Sequence, residues 1–240
     1  MPLLFLSKIA KTAKSVYCSI HNCYNLAMKV YHGSKQKIDN PINHGSKEDN
    51  DYGPAFYLTR DIDSAHEWAC KNNTVGIVNS YKLNTNGLKI LDLTDKNKYS
   101  VLNWLSVLLH FRKLESGFVD SFRNRLRFLE EHYYIDVNEY DLVIGYRADD
   151  AYFRFPLDFI RGNLTLEQLQ YAFDLGNLGI QYVIVSQKGI DQLSFEESIP
   201  SEHKYINRYY DNVLFATKRF DQLDKDEEGI RIIDIMRNEK

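Results

Sequence analysis

Cysteine, long hydrophobic runs and concentrated positive charge are all scarce in this sequence. Three cysteines among 240 residues argue against a disulfide framework and for a reducing compartment such as the cytoplasm. No stretch approaches the roughly 18 consecutive apolar residues of a membrane span. The 30 Lys and Arg nearly balance the 33 Asp and Glu, for a net charge of -3, and are dispersed along the chain. A general electrostatic attraction to nucleic acid is therefore not expected.

Two familiar kinds of binding motif are also missing. No glycine-rich loop joins a strand to a helix, which argues against a Rossmann fold and against a P-loop. Cys18 and Cys23 flank His21, but their spacing is not that of a recognised zinc site and a fourth ligand is missing. We therefore predict ordinary thiols and no bound metal.

Residues 1–27 have two interpretations. Lys8, Lys11 and Lys14 follow a short apolar run, which is the wrong order of charge for a secretory signal. The segment 3–16 fits either a weakly ordered extension or a basic amphipathic helix lying on a membrane. The string Met-Lys-Val-Tyr-His-Gly from Met28 resembles a natural chain start. We expect residues 1–27 to be dispensable and residues 28–240 to form one domain with C-terminal helices.

The composition is that of one ordinary globular domain. Apolar residues make up 44% of the chain, enough for one sizeable core, and 17 of its aromatic side chains are Tyr. Hydrophobic periodicity and turn residues together predict the order of the elements. Strands are predicted at 28–32, 55–59, 74–83, 88–93, 141–146 and 181–186, and helices from Asp61 or Asp63 to about 71 and at 97–115, 118–134, 151–161, 165–175 and beyond Ser201.

This order predicts an α+β fold with a mostly antiparallel sheet and a helical insertion. The turn at 84–87 favours a hairpin between the strands 74–83 and 88–93, and residues 187–195 favour a turn or short helix. Residues 35–54 form a long polar loop. Loops of this length are usually functional, and we expect this one to become ordered on ligand binding.

Three segments carry chemistry when they are taken together. They are Tyr31-His32-Gly33-Ser34, Asp51-Tyr52-Gly53-Pro54-Ala55-Phe56-Tyr57-Leu58-Thr59 and Gln181-Tyr182-Val183-Ile184-Val185-Ser186. A fourth segment accompanies them, Gly145-Tyr146-Arg147-Ala148-Asp149-Asp150. The set resembles the diphtheria-toxin and PARP-like branch of the ADP-ribosyltransferases, and within it an uncharacterised bacterial family of domains of unknown function. The likeness runs from about Met28 to at least Phe195. It implies an ADP-ribosyltransferase-like split sheet.

The resemblance also implies roles for individual residues. His32 would hydrogen-bond a ribose hydroxyl of NAD, and Tyr57 would stack on the nicotinamide ring. Gln181 stands where the superfamily often has a Glu that steadies the developing positive charge on the ribose. Gly33 and Ser34 would lie beside the dinucleotide, with Gly33 allowing close approach of the backbone. Tyr52 is a candidate for a further aromatic wall.

A polar run at the end of the strand 141–146 adds three more candidates. Arg147 could bind the pyrophosphate, and Asp149 or Asp150 could act as the base that the Gln181 position lacks. The alternative is a capped helix start with a surface ion pair.

The resemblance implies an NAD-dependent mono-ADP-ribosyltransferase that releases nicotinamide and modifies a macromolecule, either protein or nucleic acid. Bacterial relatives of this kind are often toxins restrained by an antitoxin protein. Because Gln cannot act as a carboxylate, two alternatives stay open. One is an NAD glycohydrolase, in which water replaces the acceptor. The other is an inactive module that binds a nucleotide or a partner.

Overall fold

The computed structural model describes residues 27–70, 74–148, 152–174, 179–223 and 228–239. Within these residues the strands are β1 (Met28–Ser34), β2 (Phe56–Leu58), β3 (Ile77–Leu83), β4 (Ile90–Asp92), β5 (Leu142–Tyr146), β6 (Ile180–Ile184) and β7 (Leu193–Pro200). The helices are α1 (Ile62–Ala69), α2 (Val101–Phe111), α3 (Ser116–Tyr133), α4 (Arg154–Arg161), α5 (Leu166–Asp174), α6 (Gln187–Ile190), α7 (Lys204–Asp221) and α8 (Ile232–Asn238). The extension 1–26, with Cys18, His21 and Cys23, lies outside the described residues.

The strands form two sheets that meet at one seam. One sheet is antiparallel, in the order β1-β3-β7, and the other has the order β2-β6-β5-β4. In the second sheet β2 and β5 run antiparallel to β6, whereas β4 runs parallel to β5. The sheets join where the Tyr31 N–H donates to the Thr59 carbonyl at 2.7 Å and the Thr59 N–H donates back at 2.9 Å. The α+β prediction is confirmed at this level.

Helix α1 packs against β1 beside the seam. Asp61 caps it by accepting the Asp63 N–H at 3.1 Å, so the first of the two predicted caps is correct. Gly33 makes the close packing possible, because a Cβ on this residue would lie 2.0 Å from the Ala65 carbonyl oxygen. The contact fixes α1, and with it Trp68, relative to the end of β1.

Helices α2 and α3 are inserted between β4 and β5 and supply much of the main core. Leu102, Leu105 and Leu108 of α2 are buried with Trp104, so this helix is apolar on more than one face, as the sequence predicts. It begins at Val101 rather than at residue 97, because the Asn103 side chain accepts the Ser100 N–H at 2.9 Å and caps the helix there.

The predicted hairpin between residues 74–83 and 88–93 is wrong. β3 pairs with β1 on one edge and with β7 on the other, so it has no free edge for β4. The turn itself is present, with Gly87 at φ 76°. It carries the chain from one sheet to the other, where β4 pairs with β5.

β7 is a strand that the sequence interpretation missed. Of the turn or short helix predicted at 187–195, the structure has a short helix over α6 alone, and β7 follows it at the edge of the three-stranded sheet. Its Glu196 and Glu197 have low strand propensity, which hides the strand in the sequence. Both carboxylates lie near Lys29 of β1, at 3.4 and 3.1 Å. Among the described helices, none has the length and apolar character needed to cross a bilayer.

Candidate functional site

A cavity of about 260 Å³ opens where the two sheets meet. His32 reaches it from β1, Tyr57 from β2 and Gln181 from β6. These are the three residues that the sequence interpretation places at the centre of the site. The other residues lining the cavity come from loops, strand ends and α1, and they are Ser46, Asn50, Asp51, Trp68, Arg112, Arg147 and Ala148.

His32 is held as a neutral imidazole with a defined orientation. Its Nδ1 lies 2.7 Å from the Tyr57 carbonyl oxygen, which can only accept, so we assign the ring proton to Nδ1. The ring also stacks on Phe56 at a centroid distance of 4.6 Å. Burial lowers the pKa of His32, although the bond to the Tyr57 carbonyl partly opposes that shift. At neutral pH, Nε2 is therefore an acceptor suited to a ligand hydroxyl.

Tyr57 contributes its ring to the cavity and its hydroxyl to the neighbouring loop. The hydroxyl donates to the Gly53 carbonyl at 2.6 Å and accepts the Tyr52 N–H at 3.1 Å. Burial raises the pKa of this phenol well above its usual value, so it stays protonated. The ring face is thus the part of Tyr57 that can meet a ligand.

Asp51 is a cavity residue to which the sequence interpretation assigned no role. Its Oδ2 accepts the Ala148 N–H at 2.9 Å and the Gln181 amide at 3.0 Å. Its Oδ1 lies 3.3 Å from the Arg112 guanidinium. Burial, which leaves Asp51 only 6% exposed, raises the pKa of its carboxyl, while these donors and the charge of Arg147 oppose the shift. A carboxylate therefore lies against the Gln181 side chain.

The Gln181 side chain donates a hydrogen bond directly to this carboxylate. It is 4% exposed and lies on β6 opposite Gly145 of β5. Since Asp51 Oδ2 accepts, the nitrogen of the Gln181 amide must face it, which fixes the orientation of the side chain. The Gln at this position orients a carboxylate instead of supplying one.

Two arginines and a tryptophan complete the polar part of the lining. The Arg147 guanidinium lies 5.2 Å from the centre of the Trp68 ring, and Arg112 pairs with Asp51. The Trp68 indole nitrogen is shielded from solvent and finds no acceptor among the residues described. Because this nitrogen is shielded, the part of Trp68 that a ligand can contact is its ring, which lines the cavity beside Arg147.

Three of the predicted site residues do not line the cavity. Tyr52 is 1% exposed, and its hydroxyl donates to the Tyr146 carbonyl at 2.8 Å in the core, so the expected aromatic wall is wrong. The missing Cβ of Gly33 accommodates α1, not a ligand. Ser34 bonds the Gln36 carbonyl and the Asn79 amide, tethering the start of the loop. Asp149 and Asp150 lie outside the described residues.

The long loop after β1 is anchored to both sheets by its own contacts. Near its start, the Ile38 N–H donates to Asn79 Oδ1 at 2.9 Å. Near its end, the Tyr52 N–H donates to the Tyr57 hydroxyl of β2 at 3.1 Å, and Asp51 Oδ2 accepts the Gln181 amide of β6 at 3.0 Å. Gly53 has φ 75° and a Cβ there would lie 2.6 Å from Phe111, so both the turn and the packing require glycine. The loop that carries Asp51 is therefore tied to both sheets by hydrogen bonds of its own.

The fold and the cavity define an α+β protein with a cavity between two sheets. A family model described as "Protein of unknown function (DUF3990)" matches residues 28–195, and the chain belongs to this family. The match spans the three-stranded sheet through Phe195 of β7, the four-stranded sheet and every residue that lines the cavity. Comparisons with curated proteins and with solved structures find no match.

Proposed function

We propose that this cavity binds NAD and that the protein transfers ADP-ribose from NAD to a macromolecular acceptor. One observation carries the proposal. His32, Tyr57 and Gln181 belong to segments far apart in the chain and line a single cavity. These are the positions that the resemblance to ADP-ribosyltransferases assigns to the ribose, the nicotinamide and the reacting centre.

The chemistry of the lining supports the same ligand. The Tyr57 ring offers a flat apolar face, and His32 Nε2 offers an acceptor for a ribose hydroxyl. Pockets for drug-sized ligands usually measure about 300–1,000 Å³, and this cavity of about 260 Å³ lies just below that range, with room for part of the dinucleotide. Arg112 and Arg147 supply positive charge for the pyrophosphate.

Nicotinamide release from NAD by the purified protein tests the proposal, with cell extract present to offer acceptors and heated protein as the blank. We expect His32→Ala to lower the rate at least tenfold. Tyr57→Leu should lower it more than Tyr57→Phe, because only the Leu variant loses the ring. His110→Ala is the matched control, since His110 lies on α2 outside the cavity and is exposed to solvent. No release above the blank would contradict the proposal.

The products separate transfer from hydrolysis. With NAD labelled in the adenosine half, transfer leaves the label on protein or nucleic acid, whereas hydrolysis leaves free ADP-ribose. Label on neither, together with NAD binding measured by calorimetry, would identify a module that binds without chemistry. The expectation of a restraining antitoxin depends on the first result and is part of the same proposal.

A further inference from the structure

The proposed reaction leaves one chemical requirement unassigned. Cleavage of the nicotinamide–ribose bond creates positive charge on the ribose, which a fixed negative group stabilises best. His32 is neutral, Gln181 is an amide, and Arg112 and Arg147 carry the wrong sign. Among the described residues lining the cavity, Asp51 is the one carboxylate.

We propose that Asp51 is the catalytic carboxylate of this cavity and that Gln181 is the residue that positions it; the inference rests on the proposed function. The carboxylate comes from the loop between β1 and β2, not from β6. The sequence therefore contains, on a different element, the carboxylate that the Gln181 position lacks.

Three donors from separate parts of the fold hold Asp51 in place. The Ala148 N–H comes from the end of β5, the Gln181 amide from β6 and the Arg112 guanidinium from the end of α2, at 2.9, 3.0 and 3.3 Å. A carboxylate has roughly four lone-pair sites, so these donors leave about one for an incoming group. A group fixed in this way does not need to reorganise when charge develops beside it.

Two of the three contacts that hold Asp51 do not require its negative charge. An Asn here could keep its oxygen where Oδ2 lies and still accept from Ala148 and Gln181. The charge itself is met by the Arg112 guanidinium at 3.3 Å and by the nearby charge of Arg147. Burying a carboxylate costs stability unless it is well paired, and burial raises the pKa of Asp51. A carboxylate that lines a cavity and is held by donors from three elements is placed as a functional group would be.

In the proposed step, the bond between ribose C1′ and the nicotinamide nitrogen breaks, and its electron pair leaves with neutral nicotinamide. The positive charge passes to C1′ and the ring oxygen, where Asp51 stabilises it. An acceptor hydroxyl, or water, then forms the new C1′–O bond. Its proton passes to the Asp51 carboxylate and from there to solvent. One NAD and one hydroxyl compound thus give nicotinamide, the ADP-ribosylated compound and a proton.

Asp51→Asn tests the charge with the least change in shape. We expect kcat for nicotinamide release to fall at least 100-fold, with a change in KM of less than about fivefold, because His32 and the Tyr57 ring are untouched. Asp158→Asn is the matched control. Asp158 is also a buried aspartate paired with an arginine, on α4 and outside the cavity, so its variant should keep the wild-type rate when folded.

The outcomes separate this inference from the proposed function. An active wild type with an Asp51→Asn variant within fivefold of it would overturn the role of Asp51 and leave the proposed function standing. A wild type without release overturns both. If circular dichroism shows that Asp51→Asn is unfolded, Asp51→Glu decides. A folded Glu variant that retains release supports the need for charge, and a folded but inactive one counts against it.

Discussion

The hydroxyl of Tyr57 provides a test of how the loop carrying Asp51 is held. Tyr57→Phe removes only that oxygen and keeps the ring in the cavity. The hydroxyl now satisfies the Gly53 carbonyl at 2.6 Å and the Tyr52 N–H at 3.1 Å, and both of these residues are buried. Each buried polar group left without a partner costs about 1–3 kcal/mol, reduced where cavity water can reach it.

We therefore expect Tyr57→Phe to lower the free energy of unfolding by about 2 kcal/mol. For a chain of this size, that loss corresponds to a fall in Tm of about 4–8 °C. Urea unfolding followed by circular dichroism measures the first quantity, and differential scanning calorimetry the second. Because Asp51 is two residues from Gly53, loosening the loop should also reduce nicotinamide release, though by less than Asp51→Asn does.

The matched control is Tyr171→Phe. Tyr171 lies on α5, is 49% exposed, and its hydroxyl forms no hydrogen bond within the described part of the chain. Substitutions at such surface positions usually change stability by less than about 0.5 kcal/mol. If Tyr57→Phe behaved like Tyr171→Phe, the two hydrogen bonds would not hold the loop, and the reasoning from the structure would be refuted.

Three further predictions follow from the same geometry. Gly33→Ala places a Cβ 2.0 Å from the Ala65 carbonyl and should cost about 3 kcal/mol in urea unfolding, whereas Gly117→Ala, with open space around it, should not destabilise the fold. Because folding raises the pKa of the Asp51 carboxyl, the folded protein binds this proton more tightly than the unfolded chain does, and protonation of Asp51 stabilises the fold. Wild-type stability relative to Asp51→Asn should therefore fall as pH rises above about 4, and a difference that is flat from pH 3 to 8 would contradict this. Trp68→Leu removes the aromatic ring that lines the cavity beside Arg147 and should weaken NAD binding by about three- to tenfold in calorimetry; an unchanged Kd would show that the ring does not contribute to binding.

The site was predictable where a residue lies on a strand. His32, Tyr57 and Gln181 are all on strands, and the strand pairing brings their side chains to the same seam. Asp51 and Tyr52 are on an irregular loop, where no periodicity indicates which side chain faces the cavity. In this loop Asp51 lines the cavity, whereas the next residue, Tyr52, lies in the core.

The partners of β3 were not predictable for a different reason. Local turn residues correctly indicate a reversal near Gly87, but they contain no information about which sheet the next strand joins. That choice depends on β7, which occupies the second edge of β3 and lies more than 100 residues further along the chain. Long-range competition for a strand edge has no signature in a short window of sequence.

The seam between the sheets contains two backbone amides whose hydrogen exchange can report on the cavity. His32 stands on one sheet and Gln181 on the other, so the width of the cavity depends on how firmly the sheets are joined. The amide protons of Tyr31 and Thr59 lie in the bridge that joins them. The rate at which these protons exchange with deuterium measures how readily that bridge opens. A molecule that contacts both His32 and Gln181 would fasten the sheets together, and it should slow exchange at these two amides even if it touches neither.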